Sequence, residues 1–444
     1  MDQEILRDLE DGLILRQATD ADTEALVAFH ADVHRDPGME EPEEYVGAWV
    51  RDLLTRPHPT FDPGDFTLVE DTRSGAIVSS LCLISQTWSY DGIEFGAGRP
   101  ELVGTHPDHR NRGLVRAQFE VIHEWSAERG EMVQCITGIP WYYRQFGYEM
   151  AMTLGGGRAG YKAQVPKLKN GEDEPYRLRP ATEADLPFLA RVYELGCRRY
   201  PVACVRDQAA WHYELAGKSA KNVNRLELCI IETEVGEVVG LLGHSPRLWR
   251  NRLGASVYEL KPGVSWLAVT PSVVRYLWAL GEEWAAHDPE QEMSRFIFWL
   301  GAEHPAYEVF HDGLPHVIRP YAWYLRVPDL AGLLWHLAPA LERRLADSLL
   351  VGHSGELKLS FYRHGLRLAF EAGRLVGVEP WRPAPKQEGD AAFPDLTFVQ
   401  LLFGYRSLKQ LKHAFADCWT TQDEVRSLLE AIFPSKPSNV WGLS

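Results

Sequence analysis

Basic residues are in short supply in this 444-residue chain: 46 Lys and Arg face 62 Asp and Glu, a formal net charge of −16. That balance argues against a nucleic acid as the main partner. It favours cationic small molecules or basic peptides, whose local concentration an acidic protein raises. Cysteine is scarce. Its six copies (Cys82, Cys135, Cys197, Cys204, Cys229 and Cys418) form no CxxC pair, so they read as reduced core thiols in a cytoplasmic setting. No apolar run approaches the roughly 20 residues of a membrane span. The opening "MDQEILRDLEDGLILRQ" lacks the cationic flank and apolar block of a signal peptide. Histidines occur as an HxxH pair (His106, His109) and a loose group (His304, His311, His316), with no cysteine or carboxylate to complete a metal-binding spacing. We expect no metal, no membrane and no nucleic acid.

What is present is an ordinary globular composition, 45% hydrophobic and 24% charged, in a chain long enough for about three domains. It also contains a repeat. "LRQATDADTEAL" starts at Leu15 and "LRPATEADLPFL" at Leu178. Each reads as a strand ending in Arg, a Thr cap (Thr19, Thr182) and an acidic first helical turn. Two homologous domains in tandem explain this, with the Gly-, Lys- and acid-rich "GGGRAGYKAQVPKLKNGEDEPY" as their linker.

The first copy continues through "DFTLVED" and "AIVSSLCLISQTW", a hairpin turning at Ser74-Gly75. Then come "RPELVGT", a helix from Gly113 to about Arg129, the buried strand "MVQCITG", a short helix "PWYYRQF" and a closing strand "GYEMAMTL". The second copy supplies "RLELCIIETE", "EVVGLLGHS", "VSWLAVT", a helix from about Pro271 to His287, "RFIFWL" and "HVIRPYAWYLRV". After Pro328 follow one amphipathic helix, "DLAGLLWHLAPALERRLA", a meander of short strands and two more helices, closed by the Pro-rich tail "FPSKPSNVWGLS".

Chemistry concentrates in "THPDHRNRGLVRAQFE", residues 105 to 120. A strand feeds a turn whose amides point outward as a helix begins, so Asn111 to Val115 and the helix dipole would cradle a diphosphate. Gly113 admits a phosphate where a Cβ would collide, and Arg110 and Arg112 add charge-assisted hydrogen bonds. In the second copy the corresponding stretch, "VTPSVVRYLWAL", puts Leu277 about where Gly113 stands, so one cofactor site per chain is expected.

The stretch Arg110-Asn111-Arg112-Gly113-Leu114-Val115 resembles motif A of the GNAT N-acetyltransferases, R/Q-x-x-G-x-G/A, with Val115 where the family has a small residue. "PWYYRQFGYE" resembles motif B. The whole layout is similar to the enhanced-intracellular-survival (Eis) type. This implies α/β and α+β architecture: tandem GNAT domains, each a mixed, largely antiparallel sheet with helices on both faces, then a sterol-carrier-protein-like α+β domain. The boundaries are a catalytic domain over 1–165, a degenerate copy over 175–328, and 329–444 with the tail. The implied activity is acetyl transfer from acetyl-CoA to primary amines of cationic, aminoglycoside-like molecules or lysine side chains, in a homo-oligomer that in many members is a hexamer. Other readings are an acyl-CoA sensor without turnover and a hydrophobe carrier working through the carboxy-terminal domain.

The resemblance also implies site residues. Val103, Gly104, Thr105, Arg110, Asn111, Arg112, Gly113, Leu114, Val115, Arg116, Gly138 and Ile139 would hold acetyl-CoA. Tyr143 would protonate the leaving thiolate, with Tyr142 as packing. The base would be the chain-terminal carboxylate, here on Ser444, although the family favours an aromatic last residue. Glu101, on one strand face with Val103 and Thr105, is the alternative base, and a frayed tail is the alternative role for Ser444.

Overall fold

The computed structural model describes residues 5–384 and 388–444. Three sheets organise them. The first has nine strands, in the order Ile5–Asp8, Leu13–Gln17, Phe66–Asp71, Ala76–Tyr90, Ile93–Thr105, Val133–Ile136, Tyr321–Arg326, Glu149–Leu154, with Val202–Cys204 paired to the end of Ala76–Tyr90. The second has seven: His316–Ile318, Gly157–Gly160, Arg295–Phe298, Arg252–Leu260, Val238–His244, Glu227–Thr233, Tyr176–Pro180. The third, of five strands, belongs to the carboxy-terminal part.

The repeat has a shared physical cause. Thr19 caps a short turn through Asp22, whose carboxylate accepts from the Thr19 amide at 2.8 Å and hydroxyl at 2.9 Å and from Arg16 at 2.7 and 2.9 Å. Thr182, Asp185 and Arg179 repeat the arrangement, every one of these contacts at 2.8 Å. Each Arg comes from the end of a strand, so the motif fixes how the first helix leaves its sheet. Helices cover both faces of both sheets. In the first, Leu26, Trp49 and Leu53 pack against Phe66 and Ile84 on one side, while Phe119 and Ile122 pack against Leu81 and Leu83 on the other.

Five expectations are corrected. The stretch read as a linker contains a strand, Gly157–Gly160, lying between Arg295–Phe298 and His316–Ile318 in the second sheet. Small residues permit this: a Cβ on Gly157 would sit 2.1 Å from the Phe298 carbonyl oxygen. In exchange "YAWYLR", read as the end of the second copy, inserts into the first sheet between Val133–Ile136 and Glu149–Leu154. The chain stretches of the two copies therefore trade strands. "VSWLAVT" is not a strand: the helix runs Trp266–Ala286, capped by Ser265, whose side chain accepts from the Ala268 amide, and Pro271 lies inside it. The unread strand is Arg252–Leu260, whose Gly, Ala and Ser weaken its alternation. The position matching Gly113 is thus Ser265, while Leu277 is a fully buried residue in mid-helix. Finally, the amphipathic helix after Pro328 is two, Leu330–His336 and Ala338–Ala346, because Pro339 cannot continue the first.

The carboxy-terminal part is joined to the first sheet by one apolar core. Phe398, Leu402 and Phe403 pack in the same cluster as Trp88, Tyr90 and Trp323, and its interior is filled by Leu357, Leu359, Leu368 and Phe393.

Candidate active site

The site is built on the strand Ile93–Thr105. It pairs antiparallel with Ala76–Tyr90 along its length, but with the parallel Val133–Ile136 only at Ala97 and Gly98. Beyond Gly98 those two strands diverge, so the stretch Val103 to Thr105 borders an opening rather than a neighbouring strand. Leu102 has φ 55, and the register shifts between Ser80 and Cys82. Glu101, Val103 and Thr105 do line one cavity, but around a bulge at Leu102 rather than by strict alternation.

After Thr105 come a turn, Pro107–His109, and an extended Arg110. Asn111 (φ 62) and Gly113 (φ 77) then swing the chain into the helix Leu114–Glu128. The first amides of that helix have no carbonyl one turn back to bond to, so they and the helix dipole face the opening. No atom lies within 4 Å of a Cβ built on Gly113, so the space over it is open. Arg112 pairs with Asp11 at 3.3 Å. Arg116 donates to the Gln145 side chain at 3.1 Å and lies 5.0 Å over the Phe146 ring, which ties the cradle helix to the Tyr142–Phe146 turn. Val115 is half-buried against the cluster that holds Phe119 and Tyr143.

All residues expected to hold the cofactor, from Val103 through the Arg110–Arg116 stretch to Gly138 and Ile139, border one cavity of about 850 Å³, together with Glu101 and Tyr143. Tyr143 is buried at the back of it, 3% exposed, between Phe119, Tyr148 and Tyr324. Burial, and then the nearby Glu101 charge, push its phenol well above the ordinary value, so it stays protonated. Among the described residues its hydroxyl has no protein hydrogen-bond partner. Tyr142 borders the same cavity but is only half-buried, its ring 5.4 Å from that of Tyr143.

The tail is not frayed. Ser444 is 5% exposed. Thr153 Oγ1 donates to the Ser438 carbonyl at 2.6 Å and accepts from the Ser438 amide at 3.0 Å. Gln86 donates to the Leu443 carbonyl at 2.7 Å, and Arg99 Nη1 donates to that carbonyl at 2.9 Å and to Ser444 Oγ at 2.7 Å. The last residues border a second cavity of about 310 Å³ with Arg99, Lys218 and Trp323. Thr137 borders both cavities, so the chain terminus lies next to the larger one. Arg99 also pairs with Glu101 at 2.6 Å, so one guanidinium contacts both Glu101 and the Ser444 hydroxyl.

Sequence reasoning missed four contributors. Arg99 was legible as a same-face partner two residues before Glu101. His34 borders the cleft from the end of the helix Thr23–Val33; its Nδ1 lies 3.1 Å from the His30 carbonyl, and burial lowers its pKa. The i, i+4 pair in "FHADVH" was the signal. Tyr321 and Tyr324 brace the opposite wall: Tyr321 donates to the Gly138 carbonyl at 3.3 Å, and Tyr324 accepts from the Trp141 amide at 2.6 Å. Nothing local marked these two, because their strand comes from the second copy. Among the described residues no cluster of His, Cys, Asp or Glu is arranged to hold a metal, and no helix is long and apolar enough to cross a membrane.

Residues 15–151 match the Acetyltransferase (GNAT) domain family. No curated protein matches in sequence. The fold matches a GCN5-related N-acetyltransferase from Anabaena variabilis with TM-score 0.63 and 15% identity, over 96% of this chain and 99% of that one. A GCN5-related N-acetyltransferase from Kribbella flavida matches with TM-score 0.61 and 15% identity, over 96% and 97% of the two chains. Eis1 from Mycobacterium abscessus matches over 100% of both chains, with TM-score 0.56 and 14% identity. At such identities the likeness is one of fold.

Proposed function

We propose that this chain, whose residues 15–151 match the GNAT acetyltransferase domain family, moves an acetyl group from acetyl-CoA to a primary amine of a cationic small molecule or a lysine side chain. The diphosphate rests on the amides and arginines around Gly113. The pantetheine amides lie along Val103 to Thr105 like an added strand. A lysine-like amine is protonated at neutral pH, with a pKa of about 10.4, so a base must take one proton before attack. The Ser444 carboxylate takes it. The nitrogen lone pair forms the C–N bond, and a strand amide holds the thioester oxygen as it gains charge. Collapse breaks the C–S bond, Tyr143 gives its proton to the departing sulfur, and the second nitrogen proton returns to the tyrosinate. The products are the neutral amide and CoA, with the first proton left on the Ser444 carboxyl for release to water.

One observation carries this reading: a buried, protonated tyrosine, a splayed strand and a buried chain terminus converge on two cavities that share Thr137. Around 1–165, 175–328 and 329–444 we retain three domains, with the first holding the cofactor and the second lacking its own cradle, since the loop into Trp266–Ala286 carries no arginine. A homo-oligomer belongs to the same proposal and is read by light scattering. The functional test is calorimetry with acetyl-CoA followed by a thiol-release assay with aminoglycosides, polyamines and lysine peptides. One molecule bound per chain and CoA released with any of these amines supports the reading. Binding without release of CoA favours an acyl-CoA sensor, and no binding at millimolar acetyl-CoA overturns the cradle.

A further inference from the structure

Behind the tail lies a buried charged group that the acetyl-transfer chemistry leaves unused. Arg206, Glu214 and Lys218 have side chains 0%, 0% and 1% exposed. Arg206 Nη1 donates to one Glu214 oxygen at 2.8 Å and Lys218 Nζ to the other at 2.7 Å. Two cations thus share one carboxylate, and one positive charge is left over. Burying three charges is costly, and apolar side chains of the same volume would serve packing at least as well. The group is therefore expected to have a second purpose. Its backbone is unusual too: after the short helix Gln208–His212, residues Tyr213–Gly217 wind as a π-helix, a geometry concentrated at functional sites.

The other arm of Arg206 shows the purpose. Its Nη2 donates to the Trp441 carbonyl at 2.9 Å and to the Gly442 carbonyl at 3.2 Å, and the guanidinium lies 3.7 Å over the Trp441 ring. Lys218 borders the same 310 Å³ cavity as Ser444. The Gln86, Arg99 and Thr153 holds on the tail all come from the first sheet; this one comes from the second copy. Resting on the reading of Ser444 as the base, we propose that Arg206, fixed by Glu214 and Lys218, is a positioning residue for acetyl transfer, gripping Trp441 and Gly442 so that the terminal carboxylate stands beside the cleft while the surplus positive charge balances it. The second copy, without a cofactor cradle, supplies the register of the first copy's active site.

Two details support this. Burial alone would raise the Glu214 carboxyl, but Lys218 and Arg206 outweigh it and hold the group ionised. Arginine fits the task better than lysine, since its planar fork bonds two carbonyls and a carboxylate while stacking on an indole.

The test uses the full-length protein and three readouts: release of terminal residues by carboxypeptidase followed by mass spectrometry, kcat and KM with acetyl-CoA, and calorimetric acetyl-CoA binding. For Arg206→Met we expect terminal release about tenfold faster, kcat lowered about a hundredfold, and acetyl-CoA affinity within about twofold, because the cradle is remote from the group. Arg206→Lys should restore part of both losses. Should Arg206→Met not fold, Trp441→Ala leaves the charged group intact, removes the indole that packs on Arg206, Tyr193 and Trp211, and should show the same pattern. A tail as protected as in the wild type, or a released tail with full kcat, overturns the proposal. A short extension after Ser444 separates the two ideas. If it abolishes turnover while Arg206→Met changes nothing, the anchor fails and the Ser444 reading stands. If the extended protein is fully active, the Ser444 reading fails, and the carboxypeptidase result alone decides whether Arg206 holds the tail.

Discussion

Arg99 and Ser444, 345 residues apart in sequence, are in contact: the guanidinium Nη1 donates to the terminal hydroxyl at 2.7 Å while Nε of the same group donates to Glu101 at 2.6 Å. One cation therefore joins Glu101 to the residue that carries the terminal carboxylate. Glu101 has one oxygen committed to Arg99, whereas the terminal carboxylate is delivered by side chains that bond Leu443 and the Ser444 hydroxyl.

A few residues added after Ser444 should lower kcat by about 10²-fold or more, the usual scale for losing a general base, with little change in acetyl-CoA affinity. Glu101→Gln should cost less, because it leaves the terminal carboxylate in place. Steady-state kinetics on both proteins decides: full activity in the extended chain, with a collapse in Glu101→Gln, assigns the base to Glu101.

Tyr143→Phe removes a hydroxyl without a protein partner from an otherwise unchanged aromatic cluster. We expect folding and acetyl-CoA binding to be retained and kcat to fall by about 10²-fold, whereas Tyr142→Phe should stay near the wild type. A thiol-release assay checks it, and equal turnover in Tyr143→Phe and wild type removes this tyrosine as the acid.

Gly113→Ala meets no neighbouring atom, so its structural cost is the left-handed backbone alone, about 1 kcal/mol. The added methyl would occupy the space that the proposed diphosphate site needs. Acetyl-CoA affinity should therefore fall at least about tenfold while thermal stability changes little. Calorimetry and a melting curve separate the two effects.

Stability should fall on mild acidification. Burial, then the Lys218 charge, lowers His58 to about 4, and burial, then the Arg326 charge, lowers His123 to about 3. Their unfolded values lie near 6.5. Between about pH 6.5 and these folded values the unfolded chain binds more protons, so unfolding becomes easier as pH falls, by up to roughly 1.4 kcal/mol per pH unit for each histidine. Asp22 acts in a lower window: Arg16 and Thr19 outweigh burial and depress its pKa, so its contribution persists above about pH 4 and is lost below. Urea titrations at pH 7.5 and 5.0 measure the first effect, and His123→Gln should flatten it.

The strand exchange predicts that residues 1–165 cannot stand alone. Without Tyr321–Arg326 the strands Val133–Ile136 and Glu149–Leu154 lose their common neighbour, and Gly157–Gly160 loses both partners. That protein should be insoluble or unfolded by circular dichroism, while the full chain melts with the first two sheets in a single transition.

Features with a local cause were legible in the chain alone. The Thr-x-x-Asp caps at Thr19 and Thr182, the Ser74-Gly75 hairpin, the cradle at Gly113 and the short helix holding Tyr143 follow from neighbouring residues that meet whatever the rest of the chain does. Which sheet Gly157–Gly160 and Tyr321–Arg326 join became clear only in the folded chain, because the partners of those strands lie in the other copy and side-chain alternation does not name a partner. The helix start at Trp266 was obscured by Pro271, which local reading takes for a first-turn residue. Arg99, Arg206 and Gln86 gained their roles in the same way: a buried donor in one domain becomes a site component only when a terminus from another arrives to accept its hydrogen bonds.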